Sequence, residues 1–287
     1  MKKVGVVKEI WRYPVKGMAG ELLQECSVGA QGLSGDRVWA LRDTARQEIQ
    51  SCKFRPELLT CTAKVKNDLK TQQYIQVTFA DGSTLNSNNP DIHQRLSELV
   101  GHDSKLESLR PLSEVDFYRR HKLDDHTWLD ELKATFSREP GEPLPDFSSF
   151  PQQAQDFVTV PGTFFLVTPF HIITTATMEH FNKLLPEADW DIRRFRPNIV
   201  IDTTGYDDGL AEQNWIGKQI TIANSLIDCT ATAPRCGAVT RVQNGLDFDK
   251  SMLRTIVKEA DQNLGIYGSI KQEGILRVGD AVYILDN

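Results

Sequence analysis

The chain has 287 residues, 40% of them hydrophobic and 25% charged, with a formal net charge of −6. That length suits two domains better than one typical core, and the apolar content excludes a disordered chain. The negative charge gives no general attraction to DNA, RNA or anionic lipid, so an anionic ligand needs a local basic pocket.

Residues 1–7 carry two lysines and only a short apolar stretch before Lys8 and Glu9, without the core of a signal peptide. Five cysteines (Cys26, Cys52, Cys61, Cys229 and Cys236) form no CxxC pair. The expectation is a protein of the reducing cytoplasm, with no membrane span, disulfide staple or structural zinc.

In chain order, runs rich in β-branched and aromatic residues predict strands at 4–10, 22–28, 38–42, 58–65 and 74–79. Asp81-Gly82 supplies a hairpin turn, because both residues tolerate positive φ. The first hundred or so residues thus read as a compact β unit. A helix is predicted over 91–100, with Leu96, Leu99 and Val100 on one face and Asp91 capping it behind Pro90. Five prolines between Arg138 and Pro161 mark 138–161 as a connecting loop. Beyond it the pattern predicts a buried strand at 163–174, a helix at 178–185 and a strand at 197–202. Further strands are expected at 219–222, 226–230, 238–242 and 275–285, the last with Gly279-Asp280 as a turn. A helix over 249–260 carries Met252, Ile256 and Val257 at helical spacing. The fold class is α+β and mostly β, divided into residues 1–122 and 123–287, the second part being barrel-like with peripheral helices.

Cys236 lies in Ala233-Pro234-Arg235-Cys236-Gly237 between two predicted strands. A neighbouring guanidinium favours the thiolate, which is both nucleophile and soft-metal ligand. The alternative is a small buried hydrophobe, the reading kept for the other four cysteines. Arg193, Arg194 and Arg196 precede a proline-led apolar strand. The first two read as solvated charges at a helix end, whereas Arg196 and Asn198 alternate onto one strand face and could meet a phosphate together. Lys16 in Tyr13-Pro14-Val15-Lys16-Gly17 and Arg37 in Gly35-Asp36-Arg37-Val38-Trp39 add cations beside glycines that permit close ligand approach. With Arg196 and Arg235 they would form a cationic pocket on an acidic protein. His121 and His126 flank Asp124 and Asp125, but no further ligand completes a metal spacing, so they read as a solvated loop. GxxxxGKS, GxGxxG and GxSxG motifs are absent.

Taken together, Tyr13-Pro14-Val15-Lys16, Gly35-Asp36-Arg37-Val38-Trp39, Phe195-Arg196-Pro197-Asn198-Ile199-Val200, Arg235-Cys236 and Val278-Gly279-Asp280-Ala281-Val282-Tyr283 carry a resemblance. In their order and spacing the chain resembles the two-part MOSC proteins, an N-terminal MOSC β-barrel followed by a MOSC domain, as in the amidoxime-reducing and YcbX-like proteins. The resemblance implies a molybdenum cofactor (molybdopterin) whose metal takes the Cys236 sulfur. It places Lys16, Arg37 and Arg196 against the cofactor's phosphate and pterin, with Asn198, Arg235 and Thr168 making polar contacts. It implies an oxidoreductase acting on small N-hydroxylated compounds, with Cys236 at the reacting centre and electrons from a separate ferredoxin- or flavoprotein-type donor.

Three positions depart from the family pattern: Leu166 and Val167 stand where relatives carry an acidic residue, and Gly17 where the amidoxime-reducing proteins have serine. No iron–sulfur domain is expected, since the four spaced cysteines of such a cluster are missing. The rival implication is a sulfur carrier holding a persulfide on Cys236, as in MOSC domains joined to pyridoxal-phosphate desulfurases. No lysine-centred pyridoxal-phosphate site can be assigned in this sequence.

Overall fold

The structure is a computed structural model that describes residues 1–67, 73–122, 127–146 and 155–285. Its largest element is a closed seven-strand barrel. Around the barrel, Ile199–Asp202, Phe170–Thr174, Asn263–Gln272, Ser225–Pro234, Gln219–Ile222, Ala281–Ile284 and Lys2–Arg12 follow one another, and the last returns to the first. Every pairing is antiparallel except that between Phe170–Thr174 and Ile199–Asp202. Alternate side chains of a strand point to one face, and in a small barrel that face fills the interior. Ile199 and Ile201, Ile220 and Ile222, Val7 and Ile10 accordingly share one core with Ile172, Ile266 and Val282.

The strand Lys2–Arg12 joins the two halves of the chain. Its start pairs with Ala281–Ile284, its middle with Ile199–Asp202 and its end with Glu21–Leu23. Register shifts at Lys3/Gly5 and Val7/Glu9 bend it from one partner to the next. Gly5 allows this closure: a Cβ there would lie 2.3 Å from the Asp202 carbonyl oxygen and 2.8 Å from Ile201 Cγ2. In the other direction, Gly274–Arg277 pairs with Glu25–Gly29 in a small sheet with Gly32–Leu33. The strand exchange therefore crosses the expected 122/123 division twice.

The rest of the N-terminal half consists of small antiparallel sheets, Trp39–Asp43 with Glu48–Ile49 and Ser104–Ser108, and Thr62–Asn67 with Gln73–Thr78 and Thr84–Asn86. Val15, Met18, Leu41, Leu58, Ala63 and Val77 form their core, and the helix Asp91–Val100 seals it with Ile92 and Leu96.

Several predicted elements take another form. Pro56, whose ring fixes φ, starts a 3-10 helix over Pro56–Thr60, so the strand expected from 58 begins only at Thr62. Residues 238–242 are not a strand: Gly237–Thr240 is a 3-10 turn, closed by Thr240 Oγ1 donating to the Gly237 carbonyl at 2.8 Å. Only Phe170–Thr174 of the expected 163–174 strand is extended in the sheet. The helix Trp128–Phe136 and the strands Ser104–Ser108 and Asn263–Gln272 had no sequence counterpart.

Gly5→Ala is expected to destabilise the protein by about 3 kcal/mol, because the obstructing Asp202 carbonyl is backbone and cannot rotate away. A urea titration reads this as a lowered midpoint with an unchanged slope.

Candidate functional site

A cleft of about 620 Å³ opens where the two halves meet, and Lys16, Arg37, Thr168, Arg196, Asn198, Arg235 and Cys236 all line it. Its N-terminal wall is organised by Asp36, which is 3% exposed. One carboxylate oxygen accepts from the Tyr13 backbone amide at 2.7 Å and the other from Asn198 Nδ2 at 2.9 Å, while Arg37 Nη1 forms an ion pair with that second oxygen. Asn198 is itself buried: Nδ2 also donates to the Trp11 carbonyl at 3.3 Å, and Oδ1 accepts from the His171 amide at 3.2 Å and Arg37 Nη1 at 3.4 Å. Each hydrogen-bonding position of that amide thus meets a protein group, so Asn198 joins the halves at the point where it lines the cleft.

Arg37 and Arg196 both hold positive φ, 50° and 55°, a conformation uncommon outside glycine. Both guanidinium groups lie over the Tyr13 ring, at 5.0 and 4.3 Å from its centroid. The negative face of the ring offsets part of their mutual repulsion. Arg196 Nη1 also donates to the Met18 carbonyl. Lys16 Nζ donates to the Phe164 carbonyl at 2.9 Å. Burial, and then the nearby Lys53, pull the Lys16 pKa down to about 7.

On the opposite wall, Ser225–Pro234 ends at Pro234 and the chain turns. The guanidinium of Arg235 is spent on the turn: Nε donates to the Ala233 carbonyl at 2.9 Å and Nη1 to the Phe195 carbonyl at 3.2 Å. Cys236 follows in extended conformation, half-buried, at the head of the Gly237–Thr240 turn. Gly237 packs closely on Ser137, since a Cβ there would sit 2.2 Å from Ser137 Oγ. Ser137 ends the helix Trp128–Phe136, and the next residue, Arg138, donates to the Arg235 carbonyl at 3.2 Å and to Gln262 Oε1 at 2.9 Å. The start of the expected connecting loop therefore braces the cysteine turn.

Other residues had no site role in the sequence reading. Cys52 lines the cleft beside Lys53, and its pKa is raised by burial against the opposing pull of Arg196. A signal was available, because Cys52-Lys53 repeats the thiol-beside-cation pattern of Arg235-Cys236. His171 also lines the cleft; its pKa lies well below the usual histidine range because it is buried, with Arg235 adding to the effect, so it is neutral at pH 7. Phe54 and Leu166 give the cleft an apolar edge, 47% and 46% exposed, and Asp43, Arg46, Glu48, Arg55 and Arg120 give it a charged one.

Arg193 is paired with Asp191 at 2.7 Å. Arg194, expected as a solvated charge, is instead 2% exposed and donates to the carbonyls of Asp189, Arg241 and Asp247. A guanidinium presents donors in several directions at once, which suits it to collecting loop carbonyls. His121 stands at the cleft rim, whereas Asp124, Asp125 and His126 lie outside the described residues. Among the described residues no group of three or more His, Cys, Asp or Glu side chains could hold a metal ion by itself.

The fold and site define a barrel protein with a cation-lined cleft and a reachable thiol at the junction of its halves. The chain belongs to the two-part MOSC proteins: residues 4–116 match the MOSC N-terminal beta barrel domain and residues 162–283 the MOSC domain. It is 25% identical over 319 residues to the mouse protein "Mitochondrial amidoxime-reducing component 1", covering 99% of this chain and 84% of that one. To the human protein "Mitochondrial amidoxime reducing component 2" it is 26% identical over 317 residues, with the same coverage of 99% and 84%. Among solved structures, the YUAD protein from Bacillus subtilis aligns over 98% of this chain and 94% of its own at 8% identity, with a TM-score of 0.44.

With a Lys16 pKa of about 7, the ammonium that would meet an anion is fully present only below neutrality. Affinity for inorganic sulfate, which does not titrate in this range, is therefore expected to fall about tenfold per pH unit above pH 7. Calorimetric titration at several pH values checks this, and Lys16→Met is expected to bind more weakly and to lose the dependence.

Proposed function

We propose that the cleft binds a molybdenum cofactor with Cys236 as the protein's ligand to the metal, and that the chain is a reductase of small N-hydroxylated compounds. The observation that carries this reading is a half-buried thiol opening onto a cation-lined cleft in a MOSC chain. The donor set fits such a group. A thiolate suits a soft, redox-active metal, and guanidinium and ammonium groups suit the phosphate of a pterin cofactor. Lys16, Arg37 and Arg196 would hold the phosphate and pterin. Thr168, whose hydroxyl donates to the Phe170 carbonyl at 3.4 Å, keeps lone pairs for a ligand donor. Arg235 and Asn198 act at one remove, Arg235 fixing the cysteine turn and Asn198 holding Arg37.

Bound there, the cofactor supplies two-electron redox chemistry that can take an oxygen atom from an N–O bond. The protein's own residues orient it and limit access. Leu166 and Phe54, exposed at the cleft edge, favour a substrate with an apolar body. Electrons would come from a separate donor protein. Among the described residues no helix is long and apolar enough to cross a membrane. The cytoplasm is the proposed compartment, on the cysteine usage alone.

Protein purified from a host that makes the cofactor is expected to hold about one molybdenum per chain and to reduce an N-hydroxylated purine with an artificial electron donor. Cys236→Ala is expected to drop to background metal and to lose activity at least ~100-fold. Wild-type protein without molybdenum, while a known molybdoenzyme from the same host is loaded, contradicts the reading. An added labile sulfur on Cys236 in that metal-free protein would favour the persulfide carrier.

A further inference from the structure

Arg37 and Arg196 line the cleft and lie over the Tyr13 ring, while Tyr13 itself lines a second cavity, of about 400 Å³. The two cavities share no lining residue. The second also lies on the seam of the chain, with Trp11, Tyr13 and Lys64 from the N-terminal half facing Arg193, Gln243 and Asn244 from the C-terminal half. Asn244 Nδ2 ties the two sides by donating to Thr62 Oγ1 at 3.4 Å. The proposed cofactor site gives this cavity no task.

Tyr13 is held firmly: its amide donates to Asp36, its ring carries the two guanidinium groups, and Gly20 packs on its edge, where a Cβ would lie 2.6 Å from Tyr13 Cδ1. Yet its hydroxyl, on a residue 2% exposed, has no hydrogen-bond partner among the described residues. Burial raises its pKa, so the hydroxyl keeps its proton and stays a donor. Gln243, 6% exposed, leaves its Nε2 without a partner in the same way. A buried donor lacking an acceptor is costly, and two on residues lining one cavity point to a guest that carries acceptors. Lys64, exposed on the strand Thr62–Asn67, forms no ion pair among the described residues and adds a positive charge. The other charged groups of the lining are engaged: Glu21 pairs with Arg12 at 2.9 Å and accepts from the Val65 amide at 2.9 Å, and Arg193 pairs with Asp191 at 2.7 Å. Trp11 donates its Nε1 to Glu9 at 2.6 Å, so what it offers a guest is its ring.

We propose that this cavity is a second ligand site, for a small aromatic carboxylate whose ring lies against Trp11 and whose carboxylate accepts from Gln243, Tyr13 and Lys64. Two neutral donors, one ammonium and an aromatic face complement a flat monoanion, with apolar body and acceptor end both satisfied. Gln243 stands in a turn in which it and Leu246 exchange amide-to-carbonyl bonds of 3.0 Å, so its side chain can rotate toward the carboxylate without breaking a strand ladder. The site does not depend on the metal or on Cys236, neither of which it touches.

The test is saturation-transfer NMR on the full-length protein with benzoate as the probe, in excess sulfate to occupy the cationic cleft. Saturable benzoate binding is expected, with the neutral analogue benzyl alcohol at least ~10-fold weaker. Gln243→Leu is expected to weaken benzoate about 10-fold, through the lost hydrogen bond to a charged group. Lys64→Met, at an exposed strand position that leaves the fold intact, weakens it about 3-fold. Lys16→Met, in the other cavity, leaves it unchanged. Wild-type protein that shows no saturable binding overturns the proposal, as do equal affinities in wild type, Gln243→Leu and Lys64→Met. Benzyl alcohol binding as tightly as benzoate, or benzoate binding that is lost in Lys16→Met, overturns it as well. Because the probe carries no N–O bond and the measurement needs no cofactor, the result is independent of metal content and reductase activity.

Discussion

The site depends on one buried carboxylate. Asp36 accepts from the Tyr13 amide and the Asn198 side chain and holds Arg37, and through Asn198 it reaches the backbone of His171 in the barrel. A buried charge is tolerated only where partners replace water, and removal of one partner from such a set costs about 3–5 kcal/mol. Tyr13 and Asp36 come from the N-terminal half, Asn198 and His171 from the C-terminal half. The Lys2–Arg12 strand that leads into Tyr13 is itself a barrel strand, so the network and the barrel closure share one segment of chain.

That arrangement concentrates positive charge on a chain whose net charge is −6. Part of the repulsion is met by the Tyr13 ring under Arg37 and Arg196, and part by carbonyls from Met18, Phe164, Ala233 and Phe195. The remainder is visible at Lys16, whose proton is held loosely because burial of its ammonium and neighbouring cations both oppose it. An anion entering the cleft relieves that strain, and any ligand that binds the folded state alone raises its stability. Cation-rich and open to solvent, the cleft has the charge that the proposed anionic cofactor needs.

Much of this was legible in the sequence, for identifiable reasons. The strands at 4–10, 74–79 and 219–222 alternate clearly, and the motifs around Lys16, Arg37, Arg196 and Cys236 are contiguous, so their convergence needed only the resemblance to order them. Asn263–Gln272 was not legible because Gly265 and Gly268 dilute its β pattern. Their reason is tertiary: a Cβ on Gly265 would lie 2.4 Å from His171 Nε2, and one on Gly268 2.9 Å from Ile227 Cγ2. Arg194 was misread because local sequence cannot show which loops will offer carbonyls. Asn198 was read as a ligand residue; that its amide also bonds Asp36, Trp11, Arg37 and the His171 amide follows only from the fold. Cys52 carried a local signal, the adjacent Lys53, but its distance in sequence from Cys236 hid the shared cleft.

The central claim is that the Cys236 sulfur bonds the metal of a cofactor held between the halves. X-ray absorption at the molybdenum edge of the loaded protein, compared with Cys236→Ser loaded in the same way, addresses that bond itself. The account predicts one sulfur scatterer more in the wild-type first shell than in the variant. Identical sulfur counts in two equally loaded proteins would contradict it.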